Sequence, residues 1–266
     1  MTVESTNARH RTPVPPGLTD DARSDWADLR TPTMAPAHFH PDMTADLPEP
    51  VRRWLTYAIA PGTPMLLSVE LATHGQIRIG GWRGYTAVQE TSALRGFVWA
   101  ANARAMGMPI IGFDRYSRHT GQMRWRALGA IPVTAGAGPD VTRSAAGRHA
   151  GELLISLPAV ALSPQVKWRA VDTGTIAARI KVGNGFHEVT LSVSDEGALT
   201  SMVMSRWGAT GRGSFAERVF GAELGADATF DGFTIPCEVT AGWDRGTDEW
   251  AGGQFIRYTV DDARFR

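Results

Sequence analysis

From Met65 onward the apolar residues recur at every second position, and a chain written at that period folds into strands with one buried face. Met65, Leu67, Val69 and Leu71 alternate, Ile77 and Ile79 flank Arg78, and Phe97, Trp99 and Ala101 alternate. Met123, Trp125 and Ala127 are interleaved with Arg124 and Arg126. This is the pattern of half-buried antiparallel strands. The cleanest meander runs from Val166 to Val171, Thr175 to Val182, Phe186 to Val193 and Leu199 to Trp207, with turns at Gly183-Asn184-Gly185 and Asp195-Glu196-Gly197. More strands are expected through Phe233 to Trp243 and Gln254 to Phe265, and Pro236 makes the first of these an edge or bulged strand. The expected fold is mainly β (α+β): about ten to twelve strands in a strongly curved antiparallel sheet or half-barrel, enclosing helices and an apolar cavity.

Two breaks in the period-two pattern are helices. Leu47 to Ala60 carries Val51, Trp54, Leu55, Ala58 and Ile59 on one stripe, with Pro48 and Pro50 in the first turn and Pro61-Gly62 as the stop. Thr142 to Leu157 carries Ala146, Ala150, Leu153, Leu154 and Leu157 on one face, with Thr142 or Ser144 as the cap. Residues 1–45 are rich in Pro, Thr, Asp and His and poor in aliphatics, so they are expected to form a mostly flexible arm. Within that arm Thr19 can cap a short helix over 19–30, docked through Trp26. Residues 46–266 then make one cavity-forming domain.

With 27 basic and 27 acidic residues the 266-residue chain has no net field to draw it to nucleic acid or an anionic membrane. The single cysteine, Cys237, excludes an intramolecular disulfide and fits a cytoplasmic location, as does the lack of a signal-like apolar run near the start. No segment has the roughly 18 consecutive apolar residues of a transmembrane helix.

The stretch from Gly112 to Pro164 gathers polar side chains around the greasy Thr142 to Leu157 helix. His149 and Glu152, three residues apart, are neighbours on that helix and able to share a proton; the alternative is a surface pair of Arg148 with Glu152 and a solvated histidine. Asp114 and Tyr116 share one strand face, with Phe113 and Arg115 on the other, so an inward Asp114 offers an acceptor and Tyr116 a donor. Arg124 and Arg126 share a face and can hold a carboxylate or enolate oxygen; the alternative for these strands is an Asp and Arg ladder facing solvent. The catalytic candidates are therefore Glu152, His149, Asp114 and Tyr116, and the substrate-binding candidates Trp54, Trp99, Trp125, Arg126 and Leu153.

Other chemistries lack their signatures. His38 and His40 have no third ligand nearby, so no metal is expected. AGAGPD at 135–140 does not have the spacing of a phosphate-binding loop, and no cofactor is expected. No G-x-S-x-G elbow is present, and Cys237 beside Pro236 reads as a packed thiol.

The blocks LPEPVRRWLTYAIAPGTP, GFVWAANA, GFDRYSRHTGQMRWRALGAIPV, PDVTRSAAGRHAGELLISLPAVAL and FDGFTIPCEVTAGWD resemble, in that order, an actinobacterial family of uncharacterised proteins carried as a domain of unknown function. The resemblance covers roughly Leu47 to Arg266 and implies no catalytic residues. The strand-rich body also resembles, more loosely and at the level of fold, the half-barrel lipid-binding lipoprotein carriers. A cavity without cofactor motifs suits a cofactor-independent cyclase or isomerase of specialised, polyketide- or polyene-type metabolism, with Glu152, His149, Asp114 or Tyr116 handling protons. The alternative is a non-catalytic binder or carrier of a lipid-like ligand. In either case the partner is an apolar small molecule. A third role, in which residues 1–45 bind a partner protein, uses the arm instead.

Overall fold

The computed structural model describes residues 12–105, 107–211 and 213–266. Six strands come first: β1 (Ser68–Arg78), β2 (Trp82–Ser92), β3 (Gly96–Ala105), β4 (Met108–Ser117), β5 (Thr120–Ala127) and β6 (Ile131–Ala137). Seven more follow: β7 (Val166–Ala170), β8 (Thr175–Val182), β9 (Gly185–Val193), β10 (Leu199–Gly211), β11 (Ser214–Phe230), β12 (Phe233–Trp243) and β13 (Gln254–Phe265). Four α-helices accompany them: α1 (Asp20–Leu29), α2 (Glu49–Ala58), α3 (Pro139–Ser156) and the single turn α4 (Trp250–Gly253).

All thirteen strands form one antiparallel sheet in the order β6-β5-β4-β3-β2-β1-β13-β12-β11-β10-β9-β8-β7. Each half is a meander of local hairpins, and the halves meet where β1 pairs with β13, from Val69 opposite Phe265 to Ile77 opposite Ile256. The outer strands β6 and β7 do not pair, so the sheet curls into a half-barrel without closing. α3 and the 3-10 turn at Pro158–Leu162 connect those two edges, and α3 packs against β4, β5, β6, β8, β9, β10 and β12. The main core lies between that helix and the sheet, where Leu153, Leu154 and Leu157 meet Phe97, Trp99, Ile176, Leu191, Met202 and Met204. α2 buries Val51, Trp54, Leu55 and Ala58 and packs against β7, β8 and β12, with the Trp54 ring edge-on to Trp168 at 5.7 Å.

The expected arm is, from Thr12 on, part of the folded body, while its first eleven residues lie outside the described chain. α1 forms where Thr19 predicts it, the threonine hydroxyl accepting from the Ala22 N–H at 3.3 Å. It packs on the face of β2, β3 and β4 opposite the main core, where Leu18, Ala22, Trp26 and Leu29 meet Val98, Ala100 and Phe113. Aliphatics are few in this segment, but those of α1 that face the sheet, Ala22 and Leu29 with Trp26, are all buried. Asp25 adds a buried ion pair with Arg115. Two local expectations also shift. α3 starts at Pro139, whose missing N–H suits a first turn, rather than at a Thr142 or Ser144 cap; Thr142 instead accepts from the Gly121 N–H at 2.9 Å. Pro236 lies in an interior strand rather than an edge one, but β13 pairs only with Glu238 to Gly242 of β12, and past the bridge from Phe233 to Ile59 the stretch around Pro236 is left unpaired with β13. A residue that cannot donate is tolerated at a locally free edge. No helix among the described residues is long and apolar enough to cross a membrane.

Candidate functional site

Because side chains alternate across a strand, the inner face of the half-barrel is lined by every second residue of ten strands. Leu71 and Thr73 of β1, Tyr85 and Gln89 of β2, Trp99 of β3, Ile110 and Asp114 of β4, Met123 and Trp125 of β5, and Val133 and Thr134 of β6 line one side of a cavity. Met202 and Arg206 of β10, Phe220 and Ala222 of β11, Val239 and Ala241 of β12, and Phe255, Ile256 and Tyr258 of β13 line the other. α3 closes it with Arg148, Glu152, Ile155 and Ser156. The volume is about 320 Å³, within the range of small-molecule sites.

Small residues make that space. A Cβ on Gly112 would lie 2.2 Å from Cδ2 of Trp125, so only glycine lets the indole lie flat across β4. On α3, Gly147 and Gly151 leave room for the stem of Arg206 and the thioethers of Met202 and Met204, at 3.1 to 3.3 Å from where a Cβ would sit.

One polar cluster interrupts the apolar wall, and it centres on Arg148. Its Nε donates to Glu152 Oε1 at 2.7 Å, Nη1 to Asp114 Oδ2 at 3.1 Å and Nη2 to Gln89 Oε1 at 3.2 Å. Gln89 Nε2 donates in turn to Glu152 Oε2 at 2.8 Å and to the Thr91 hydroxyl at 2.9 Å, and the Trp125 indole N–H donates to Asp114 Oδ1 at 3.2 Å. The guanidinium also lies 4.6 Å from the Phe97 ring centroid and 5.1 Å from that of Trp99. Burial raises the Asp114 carboxyl above the usual carboxylate range, only partly offset by Arg148 and the Trp125 N–H. Its side chain is still 27 % exposed, and that exposure is to the cavity it lines. Burial likewise pushes the Tyr85 and Tyr258 hydroxyls well above their ordinary value, so both stay protonated.

The structure divides the sequence candidates. Asp114, Glu152, Trp99 and Trp125 face the cavity together. The Arg148–Glu152 pair does form, but in the cavity wall rather than on the surface, with side chains 16 % and 23 % exposed. His149 is not beside Glu152. It points to the other flank of α3, buried 5.9 Å from the ring centroids of both Phe97 and Tyr116, and its Nδ1 has no partner among the described residues. Burial lowers it to about 3, so it is a neutral packing group. Tyr116 shares Asp114's strand face but lies one step further along β4, outside the cavity lining and beside His149. Arg126 follows Trp125 and therefore projects from the opposite face, as does Arg124. Trp54 packs edge-on against Trp168 away from the cavity, and Leu153 is fully packed in the core. Cys237 is a buried free thiol that burial pushes up. His40 caps the turn at Pro41–Thr44, His38 bridges Pro64, and neither joins a metal-binding cluster among the described residues.

Two residues were missed. Gln89 follows Tyr85 and Ala87 and precedes Thr91 at period two on the inner face of β2. Arg206 was legible as the next step in the Met202, Met204, Arg206 series at period two on β10.

No curated protein matches the chain. Solved structures similar to it include the following two. One, described as an outer membrane lipoprotein-sorting protein domain from Vibrio parahaemolyticus, is 6% identical, with 85% of this chain and 92% of that one covered and a TM-score of 0.40. The other, a LolA superfamily protein from Nitrosomonas europaea, is 10% identical, with 82% and 92% covered and a TM-score of 0.38. Residues 37–255 match a family of unknown function over most of the half-barrel, from β1 through β12 with α3 included and ending at the start of β13, and the chain belongs to that family, DUF6544.

Proposed function

We propose that the protein binds, and carries, an apolar lipid-like molecule in the cavity between the half-barrel and α3. The observation behind this is the lining itself: aliphatic and aromatic side chains from ten strands and one helix converge on a single space. The polar groups in its wall largely hydrogen-bond to one another, an arrangement that shapes a site more than it attacks a substrate. Titration with a fluorescent fatty-acid-like probe, together with native mass spectrometry of the purified protein, tests it. The expected result is saturable probe binding that Ala222→Trp abolishes without lowering the melting temperature by more than a few degrees. Absence of both a bound probe and a co-purifying apolar species would overturn it.

One observation favours a second reading, cofactor-independent cyclisation or isomerisation of the same ligand. Asp114 faces the cavity with a raised carboxyl, so it can hold a proton next to a bound molecule. In that case Asp114→Asn keeps ligand binding and loses turnover by about a hundredfold or more, and a ligand recovered chemically unchanged after incubation counts against it.

A further inference from the structure

Arg206 lines the cavity wall and, among the described residues, forms no direct ion pair with a carboxylate. Its Nε donates to the Ser144 carbonyl at 3.2 Å and its Nη2 to the Ser144 hydroxyl at 3.4 Å, both uncharged acceptors at the first turns of α3. The guanidinium lies over two rings, 4.7 Å from the Phe220 centroid and 5.4 Å from that of Trp243. The two acids of the cavity, Asp114 and Glu152, are both held by Arg148. A guanidinium presents five N–H donors, so those given to Ser144 leave donors over for the cavity.

Holding a cation there has a cost. Burial and the neighbouring Arg148 charge lower Arg206 to about 10, outweighing the Glu152 and Asp114 charges that favour it, so on balance the fold works against this charge. A hydrophobic side chain of similar length would fill the same place with less strain on the electrostatics. The apolar cavity thus carries at one wall a cation that pairs directly with no carboxylate among the described residues.

Building on the binding function proposed above, we propose that the ligand is a single-chain amphiphile with an anionic head, a carboxylate or a phosphate monoester, whose head pairs with Arg206 while its chain lies along Leu71, Trp99, Val239 and Tyr258. Planar guanidinium donors match both kinds of oxyanion. The Phe220 and Trp243 rings hold the fork in place, so little side-chain freedom is lost on binding.

The test compares ligands with one chain and different heads. Dodecanoate, dodecyl phosphate, dodecanol and dodecylamine are titrated below their aggregation limits into the delipidated full chain, followed by tryptophan fluorescence. The expected order puts at least one of the two anions about tenfold or more tighter than dodecanol, the factor that one charge-assisted contact supplies, with dodecylamine weakest. Whichever anion binds tighter identifies the head. In Arg206→Met the anion's advantage shrinks to less than about threefold while dodecanol binds as before; Arg206→Lys, which keeps the charge but not the fork, retains part of it. The wild-type comparison stands even should Arg206→Met fail to fold. Dodecanol equal to or tighter than both anions in the wild type, or an undiminished preference in Arg206→Met, would falsify the assignment of the head to Arg206. No binding of any of the four removes the binding function itself, which is a different result.

Discussion

Arg148 ties three elements together, since one guanidinium joins α3 to Asp114 on β4 and, through Gln89, to β2. Removing it leaves two carboxylates facing each other in a poorly hydrated wall. Arg148→Met is therefore expected to destabilise the fold by about 2–3 kcal/mol, somewhat below the usual penalty for orphaning a fully buried charge because the cluster keeps some exposure; Glu152→Gln, which leaves Asp114 as partner, is expected to cost about 1 kcal/mol or less. Urea unfolding measures both, and a stability for Arg148→Met within about 0.5 kcal/mol of wild type would show that the cluster is not a structural tie. His149 gives a second check. Its imidazole is expected to stay neutral from pH 8 down to about pH 4, because its folded value of about 3 lies below that range; NMR of the ring protons showing a midpoint near 6.5 would contradict its buried placement. At this scale the sequence revealed chemistry better than direction. Asp114, Trp99, Trp125 and Glu152 were found because strand alternation and helix spacing carry them inward, whereas Arg126 was paired with the wrong face although its neighbour Trp125 already occupied the inner one. His149 was misjudged because a histidine flanking an apolar helix face has two neighbours to choose from, and Phe97 and Tyr116, distant in sequence, decided it.

Among the elements, the N-terminal segment differs most from its composition. On the face of the sheet away from the cavity, Glu70 of β1 lies directly opposite Glu90 of β2. Arg30, just past α1, reaches both, at 2.6 and 2.7 Å, Arg266 adds contacts of 3.0 and 3.1 Å, and the Thr12 hydroxyl donates to Glu70. Burial and the hydrogen bond to Glu70 push Glu90 up to about 8. Burial would raise Glu70 as well, but hydrogen bonds from Glu90, Thr12 and Arg30 outweigh it and hold Glu70 at about 2. The two thus share one proton. For Glu90, protonated when folded and ionised when unfolded, stability is lost as pH climbs from about 4.5 to about 8; for Glu70 it is lost as pH falls from about 4.5 towards 2. The melting temperature is expected to fall across the first window, and Glu90→Gln, a permanent mimic of the neutral form, is expected to flatten that fall. An equal slope in both proteins would sink the shared proton. None of this was legible locally: Thr12, Arg30, Glu70, Glu90 and Arg266 are spread through the chain, and only the pairing of β1 with β2 and β13 brings them together. The helices α1 and α2, whose apolar stripes are local, were read within two residues of their ends.

For the whole molecule the period-two runs and short turns point to most strands of the two meanders, because hairpins are contacts between chain neighbours, whereas β2, β6 and the long β11 carry no such clean run. The seam between β1 and β13 was not legible, since it joins segments about 190 residues apart by a pairing no local pattern encodes. That distance is costly for folding, as long loops must close before the contact rewards them. It also means the cavity belongs to neither half alone: Thr73, Tyr85 and Trp99 come from the first meander and Phe220, Val239 and Tyr258 from the second. A ligand of the proposed kind seated between them would touch both halves at once and so act as a rivet across the join, raising the stability of that seam in proportion to its binding.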